Sequence, residues 1–181
     1  MSRLRHYSAV FLMASFFWAM FYHPAYSATT PAAAYNAAMS RVARIAPKLE
    51  ALAGRKTPIM VTPDMEKEAF VLPDGNIIIT TGLVALCKSD DELAFIIAHE
   101  LSHVVAKDFE NSGTPGLTGS RGIPDLQLRE IKADENAVRY LKNAGYNPYA
   151  SISILARLSK NHDLKDRLDS LSRYLKNPPS N

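Results

Sequence analysis

Two histidines four residues apart, the first followed directly by a glutamate, stand at His99-Glu100-Leu-Ser-His103. On an α-helix, residues four apart lie about 40° apart in azimuth and about 6 Å apart along the axis, so both imidazoles can aim a nitrogen at one point. That point can hold a zinc ion, which takes histidine nitrogens as ligands. Glu100 lies about 100° round from His99, close enough to reach a water on such an ion and too far round to ligate it, so its position implies a general base. Two nitrogens leave a tetrahedral zinc short of one protein ligand. Glu130 and Asp134, again four apart, are the candidates. With Glu130 at zero azimuth, Leu126, Ala137 and Leu141 lie within about 40° of it, while Lys132, Glu135, Asn136 and Arg139 take the far side. Acids at this spacing are commonly a solvated face, but an ionised carboxylate on an apolar face is costly unless it is paired or binds a metal. Glu130 is therefore expected as third ligand, and Asp134 as acceptor for the ring N–H of a ligand histidine.

The elements that must position these groups are signalled locally. Ser89 and Glu92 form the S-x-x-E pattern of a helix start ahead of the histidines. Leu93, Ala94, Ile97, Ala98, Leu101, Val104 and Val105 should face away from the two imidazoles, into a core. Upstream, Thr30-Pro31 opens a helix running to about Leu52, with Pro47 as a possible kink. Short strands are expected over Thr57–Thr62, Ala69–Leu72 and Asn76–Thr81, separated by Pro63-Asp64 and Pro73-Asp74-Gly75 turns, with Gly82 opening a short helix. Asp108 to Gly122 reads as a loop rich in Gly, Ser and Thr. Helices follow from Pro124 to Asn143, from Asn147-Pro148 to about Lys160, and from Asp163 to Leu175. The sum is an α+β fold, mainly helical, with a small β-sheet packed on the His99 helix.

The 181 residues are 47% apolar and 22% charged, the composition of one ordinary globular domain. Arg3, Arg5 and His6 precede an apolar run from Tyr7 to Tyr22, and small residues at Ala25 and Ser27 favour cleavage after Ser27. Residues 1–27 are thus expected as a secretory signal peptide and 28–181 as the mature domain. No stable membrane span is expected after cleavage, although the run could serve as an uncleaved anchor. A mitochondrial transit peptide is the rival, since no acid precedes Glu50, but the unbroken apolar run disfavours it. Of 21 basic residues, Arg3 and Arg5 leave with the leader, so 19 face 18 acids and no nucleic-acid partner is implied. Cys87, the single cysteine, lies in an apolar segment and reads as core, which excludes a disulfide framework and a cysteine zinc site. Three histidines remain in the mature chain: His99, His103 and His162.

These residues resemble the gluzincin metallopeptidases of the HtpX, Oma and CAAX prenyl endopeptidase group, especially its small periplasmic BepA-like members. The resemblance runs from about Ile59 to Arg167 and rests on Leu72-Pro73-Asp-Gly75-Asn-Ile-Ile-Ile-Thr-Thr-Gly82, Glu92-Leu93, His99-Glu100-Leu-Ser-His103, Glu130-Ile-Lys-Ala133-Asp134 and Ala144-Gly145-Tyr146-Asn-Pro148. It implies one zinc ion held by His99, His103 and Glu130, with Glu100 as base. It also implies extended polypeptide substrates laid along a strand edge, assigned to Asn76, Ile77, Ile78 and Ile79. A late histidine and arginine in the family are similar to His162 and Arg167, though the proline after the histidine is missing and the arginine is one residue closer. His162 would either cap the zinc or donate to the developing oxyanion, and Arg167 would contact substrate. Glu68-Ala69-Phe70 departs from the family's N-A-F, and a partner-docking role built on helical repeats is not implied by these residues. The activity implied is a periplasmic zinc endopeptidase acting on envelope or misfolded proteins. The rivals are a non-catalytic envelope chaperone or adaptor with a structural zinc, which intact Glu100 disfavours, and a zinc hydrolase acting on another bond.

Overall fold

In a computed structural model, which describes residues 30–108, 123–158 and 164–177, the chain runs α1 (Pro31–Ala53), β1 (Ile59–Thr62), β2 (Ala69–Val71), β3 (Ile77–Thr80), α2 (Thr81–Leu86), α3 (Asp90–Ala106), α4 (Ile123–Ala144), α5 (Ala150–Leu158) and α6 (Lys165–Lys176). Side chains of 123–125 are not among those described. Pro31–Asn181 is one compact unit, α+β and mainly helical, as expected. The leader assigned to 1–27, most of the 108–122 loop and His162 lie outside the described residues. No helix among the described residues is long and apolar enough to cross a membrane.

Helix α3 is the hub. Ser89 caps it, its hydroxyl accepting from the Glu92 N–H at 3.2 Å, and the Glu92 carboxylate accepts from the Lys88 N–H at 2.6 Å rather than from the cap residue itself. Asp90, Asp91 and Glu92 place negative charge at the positive end of the helix dipole. The apolar stripe expected on one side is in fact a buried helix: 92 to 102 are buried without a break, because α1, α4, α5 and β2 all pack on it. Only the end emerges, with Val105 exposed where the sequence suggested core. Lys107, in the left-handed region at φ 57°, stops the helix and donates its N–H to the carbonyls of His103 and Val104.

The sheet has the order β1-β3-β2, with β3 parallel to β1 and antiparallel to β2. This corrects the substrate edge assigned to Asn76, Ile77, Ile78 and Ile79. The three isoleucines lie in the central strand, buried and paired on both sides, so their backbone has no free edge. Asn76 closes the preceding turn: its N–H donates to Asp74 Oδ1 at 3.0 Å and its carbonyl accepts from the Leu72 N–H at 2.7 Å. An unbroken apolar run is what a strand buried on both faces looks like, and it argues for the middle of a sheet.

The edge on the α3 side is β2. The Thr80 N–H donates to the Glu68 carbonyl at 3.0 Å, which makes Glu68 and Thr80 a bonded pair. With Phe70 opposite Ile78, the alternation of an antiparallel ladder then turns the N–H and C=O of Ala69 and Val71 outward. The turn before β2 is pinned by α2. Gly82 donates its N–H to the Asp64 carbonyl at 2.8 Å, and a Cβ there would collide with the carbonyls of Met65 and Glu66.

Helix α4 lays Ala133, Ala137, Val138 and Leu141 against the core, while Leu126, expected on the same stripe, is 56% exposed near its start. Gly145, at φ 75°, ends it. Helix α6 buries Leu171 and Leu175 against α4 and α5, and so carries Arg167 to the site.

Candidate metal centre

Helix α3 presents His99 and His103 from consecutive turns, and α4 brings Glu130 across to them. The two Nε2 atoms face each other at 3.1 Å, with Glu130 Oε2 3.4 Å from His99 Nε2 and Oε1 3.3 Å from His103 Nε2. Two ring nitrogens at that separation share at most one hydrogen, so lone pairs converge on a common point. Three donors held at 2.0–2.1 Å by a tetrahedral ion lie about 3.3–3.4 Å from one another. The observed spacings are those of one such face, and two imidazoles with a carboxylate form a set that zinc accepts.

The ring nitrogens that face away also meet carboxylates. His99 Nδ1 lies 2.9 Å from Asp134 Oδ1, a close ionic approach that is off the N–H direction, so this buried atom has no well-directed hydrogen bond. Asp134 is 1% exposed and is gripped by Arg167, with Nε 2.7 Å from Oδ2 and Nη2 2.6 Å from Oδ1. Arg167 Nη1 also reaches Glu130 Oε2 at 3.0 Å. The guanidinium placed by resemblance among the substrate contacts thus lines the cleft while clamping a ligand and the carboxylate behind another.

His103 Nδ1 lies 2.9 Å from Asp108 Oδ2, and Arg129 Nη1 lies 3.6 Å from the other oxygen of Asp108. Neither residue emerges from the sequence. Residue 108 follows His103 by five, which on a continuing helix puts it about 140° away, and only the left-handed turn at Lys107 brings it back. An acid just after a helix end carries no periodic signal.

Electrostatics follow from this count. Among the described residues, the carboxyl groups of Glu100, Asp108, Glu130 and Asp134 outnumber the guanidinium groups of Arg129 and Arg167 around the two histidines. Burial disfavours the His99 imidazolium, but Asp134 and Glu130 outweigh burial and lift it to about 9. His103 is raised for the same reason, burial being overcome chiefly by Glu130. Burial also opposes the charged form of Glu130 and Asp134, yet the imidazoles and Arg167 hold both well below the usual carboxylate range. A divalent cation would meet the deficit with both imidazoles neutral.

Glu100 is 8% exposed, and burial pushes its carboxyl up, with the two histidines pulling partly the other way. It lines a cleft of about 660 Å³ together with the ligand residues. One wall is β2 with its outward backbone; the other is apolar, from Phe95, Leu155, Leu158 and Leu164. The arrangement can hold a cation on one face, a buried carboxyl beside it, and an extended chain along β2.

Comparison with known proteins agrees with this geometry. Residues 34–114 match the model of peptidase family M48, a span that contains His99, Glu100 and His103. The mitochondrial metalloendopeptidase OMA1 of Arabidopsis thaliana is 29% identical over 151 residues, covering 71% of this chain and 30% of that protein. Its namesake from Schizosaccharomyces pombe is 34% identical over 76 residues, 40% of this chain and 23% of its own length. The beta-barrel assembly-enhancing protease of Yersinia pestis is 24% identical over 145 residues, 61% and 28%. The chain thus spans about a third or less of the length of these curated relatives. The matched segment carries the two histidines near its C-terminal end, and Glu130, beyond it in sequence, completes their triad in space, so the chain is similar to peptidase family M48 in the part that builds the metal centre.

Proposed function

We propose that the chain is a zinc endopeptidase that is exported to the periplasm and cleaves extended segments of misfolded or envelope proteins. One observation carries the reading: a buried carboxyl, Glu100, stands beside a two-histidine, one-carboxylate face that opens into a cleft bordered by a free strand edge. His99, His103 and Glu130 would hold the zinc. When bound, the ion polarises the scissile carbonyl and acidifies a water. Glu100 accepts the proton of the attacking water and returns it to the leaving amine. Burial raises its pKa, which suits the first half of that transfer, since a more basic carboxylate takes up the proton of the water more readily. Asp134, held by Arg167, sets a negative charge 2.9 Å from His99 Nδ1, behind the face that would bind the ion.

Substrate is placed on β2, with the outward N–H and C=O of Ala69 and Val71 pairing to its backbone, and apolar side chains falling toward Phe95 and Leu155. Backbone pairing asks for an unfolded segment rather than a particular sequence, which fits a role in clearing misfolded protein. Export is supported by the apolar run from Tyr7 to Tyr22 with small residues before Ala28. The Yersinia pestis relative is named for β-barrel assembly, in line with an envelope role, while other relatives are named as mitochondrial. The test is casein cleavage by the purified mature chain with and without chelator, alongside fractionation of cells producing the full chain. Chelator-sensitive cleavage restored by zinc and a periplasmic pool of processed protein are expected. Chelator-insensitive cleavage would overturn the metal mechanism, and retention in the cytoplasm would overturn the export reading.

A further inference from the structure

We infer that Asp108 and Arg129 form a positioning pair for His103, a counterpart on the second histidine of what Asp134 and Arg167 do for the first. The inference rests on the metal-site reading and adds residues that lie outside both the His99–His103 pattern and the Glu130–Asp134 pattern.

His103 Nε2 faces His99 and Glu130, so with a metal ligated there its hydrogen would reside on Nδ1, and that atom lies 2.9 Å from Asp108 Oδ2. An acceptor there fixes both the tautomer and the ring plane, and an anionic acceptor raises the basicity of the ligand nitrogen. The contact is shielded, with the His103 side chain 14% exposed and that of Asp108 23%. It also requires a particular backbone. Lys107 adopts φ 57°, a conformation unfavourable for a residue with a Cβ and found at no other non-glycine among the described residues. That turn returns the chain under the imidazole.

Arg129 completes the arrangement from the other ligand helix. It stands beside Glu130 on α4, and its guanidinium, 20% exposed, approaches the Asp108 oxygen that His103 does not use, at 3.6 Å. Adjacent residues of α4 therefore act on both sides of one ring: Glu130 at Nε2, and Arg129, through Asp108, at Nδ1. Neither Asp108 nor Arg129 touches the metal point, so their effect is on how well His103 is presented.

The test measures zinc affinity of the full mature chain by competition with a chromogenic chelator, and the His103 Nδ1–H proton resonance of the zinc-loaded protein. Asp108→Ala is expected to weaken zinc binding about ten- to a hundred-fold and to lose the slowly exchanging Nδ1–H signal. Asp108→Asn, which keeps an oxygen acceptor without the charge and guards against misfolding of the alanine variant, should fall between. Arg129→Ala should weaken binding less, and the double variant Asp108→Ala/Arg129→Ala should bind no more weakly than Asp108→Ala alone, because the arginine acts through the aspartate. Wild-type affinity and an intact Nδ1–H signal in folded Asp108→Asn and Asp108→Ala would overturn the pair while leaving the metal site standing. A wild-type chain with no zinc affinity would overturn the metal reading and the pair together.

Discussion

Glu130 and Glu135 are both glutamates on α4, yet one meets two imidazole nitrogens and the other lies on the opposite face of the helix. That contrast makes a clean test of the ligand set. Glu130→Ala should weaken zinc binding by two orders of magnitude or more, while Glu135→Ala should leave it within about twofold, as a surface change away from any buried network does. Equal affinities, measured by metal titration, would place the third ligand elsewhere. At this scale the sequence was informative wherever chemistry depends on helical spacing: His99, Glu100, His103, Glu130 and Asp134 are each fixed by neighbours three or four positions away. It was silent on Asp108 and Arg129, whose contacts depend on one left-handed residue and on the approach of two helices. Arg167 stood between these cases, flagged by resemblance, with its grip on Asp134 and Glu130 apparent only in three dimensions.

Helix α3 owes its position to its first turn as much as to its core face. The Glu92 carboxylate is buried and accepts from the Lys88 N–H and from Arg157 of α5, whose Nη1 also donates to the Leu86 carbonyl at 2.7 Å. Burial pushes this carboxyl up, but Arg157 and the Lys88 N–H outweigh it and hold the pKa below the usual value. The folded chain therefore takes up this proton less readily than the unfolded chain, so the group stabilises the fold above the unfolded pKa of about 4.3 and loses that contribution as pH falls through the lower, folded value. Arg157→Ala leaves a buried carboxylate without its partner and should cost about 3 kcal/mol at neutral pH. The gap between wild type and variant should narrow below about pH 4 in urea melts, and a gap that widened on acidification would contradict the assignment. The capping pattern Ser89-x-x-Glu92 was legible in the sequence, whereas the arginine that completes it is 65 residues away. The sheet shows the same limit. Ile77–Thr80 is the plainest strand in the chain because it is buried on every side, and that burial is why it could not be the free edge. The edge is β2, three residues long and without a strong pattern of its own.

Across the whole molecule the metal centre joins α3 to α4, with α6 closing it through Arg167. An ion bound by the folded chain alone stabilises it by mass action, about 4 kcal/mol when the free ion is a thousandfold above its dissociation constant. Chelation should therefore lower the calorimetric unfolding temperature while leaving the helical circular dichroism spectrum in place, because the core built on Phe95, Ile97, Leu101 and Leu141 does not involve the ligands. Collapse of the helical signal on chelation would show instead that the fold depends on the ion. The central claim is that Glu100 performs the proton transfer in a site whose ligands are separate from it. It is tested most directly by measuring zinc content and casein cleavage together for wild type and Glu100→Gln, a variant of nearly the same shape without the basic oxygen. The expected result is one zinc per chain in both proteins, with cleavage in the variant reduced about a hundredfold or more. Wild-type cleavage by a zinc-loaded Glu100→Gln chain would contradict the account.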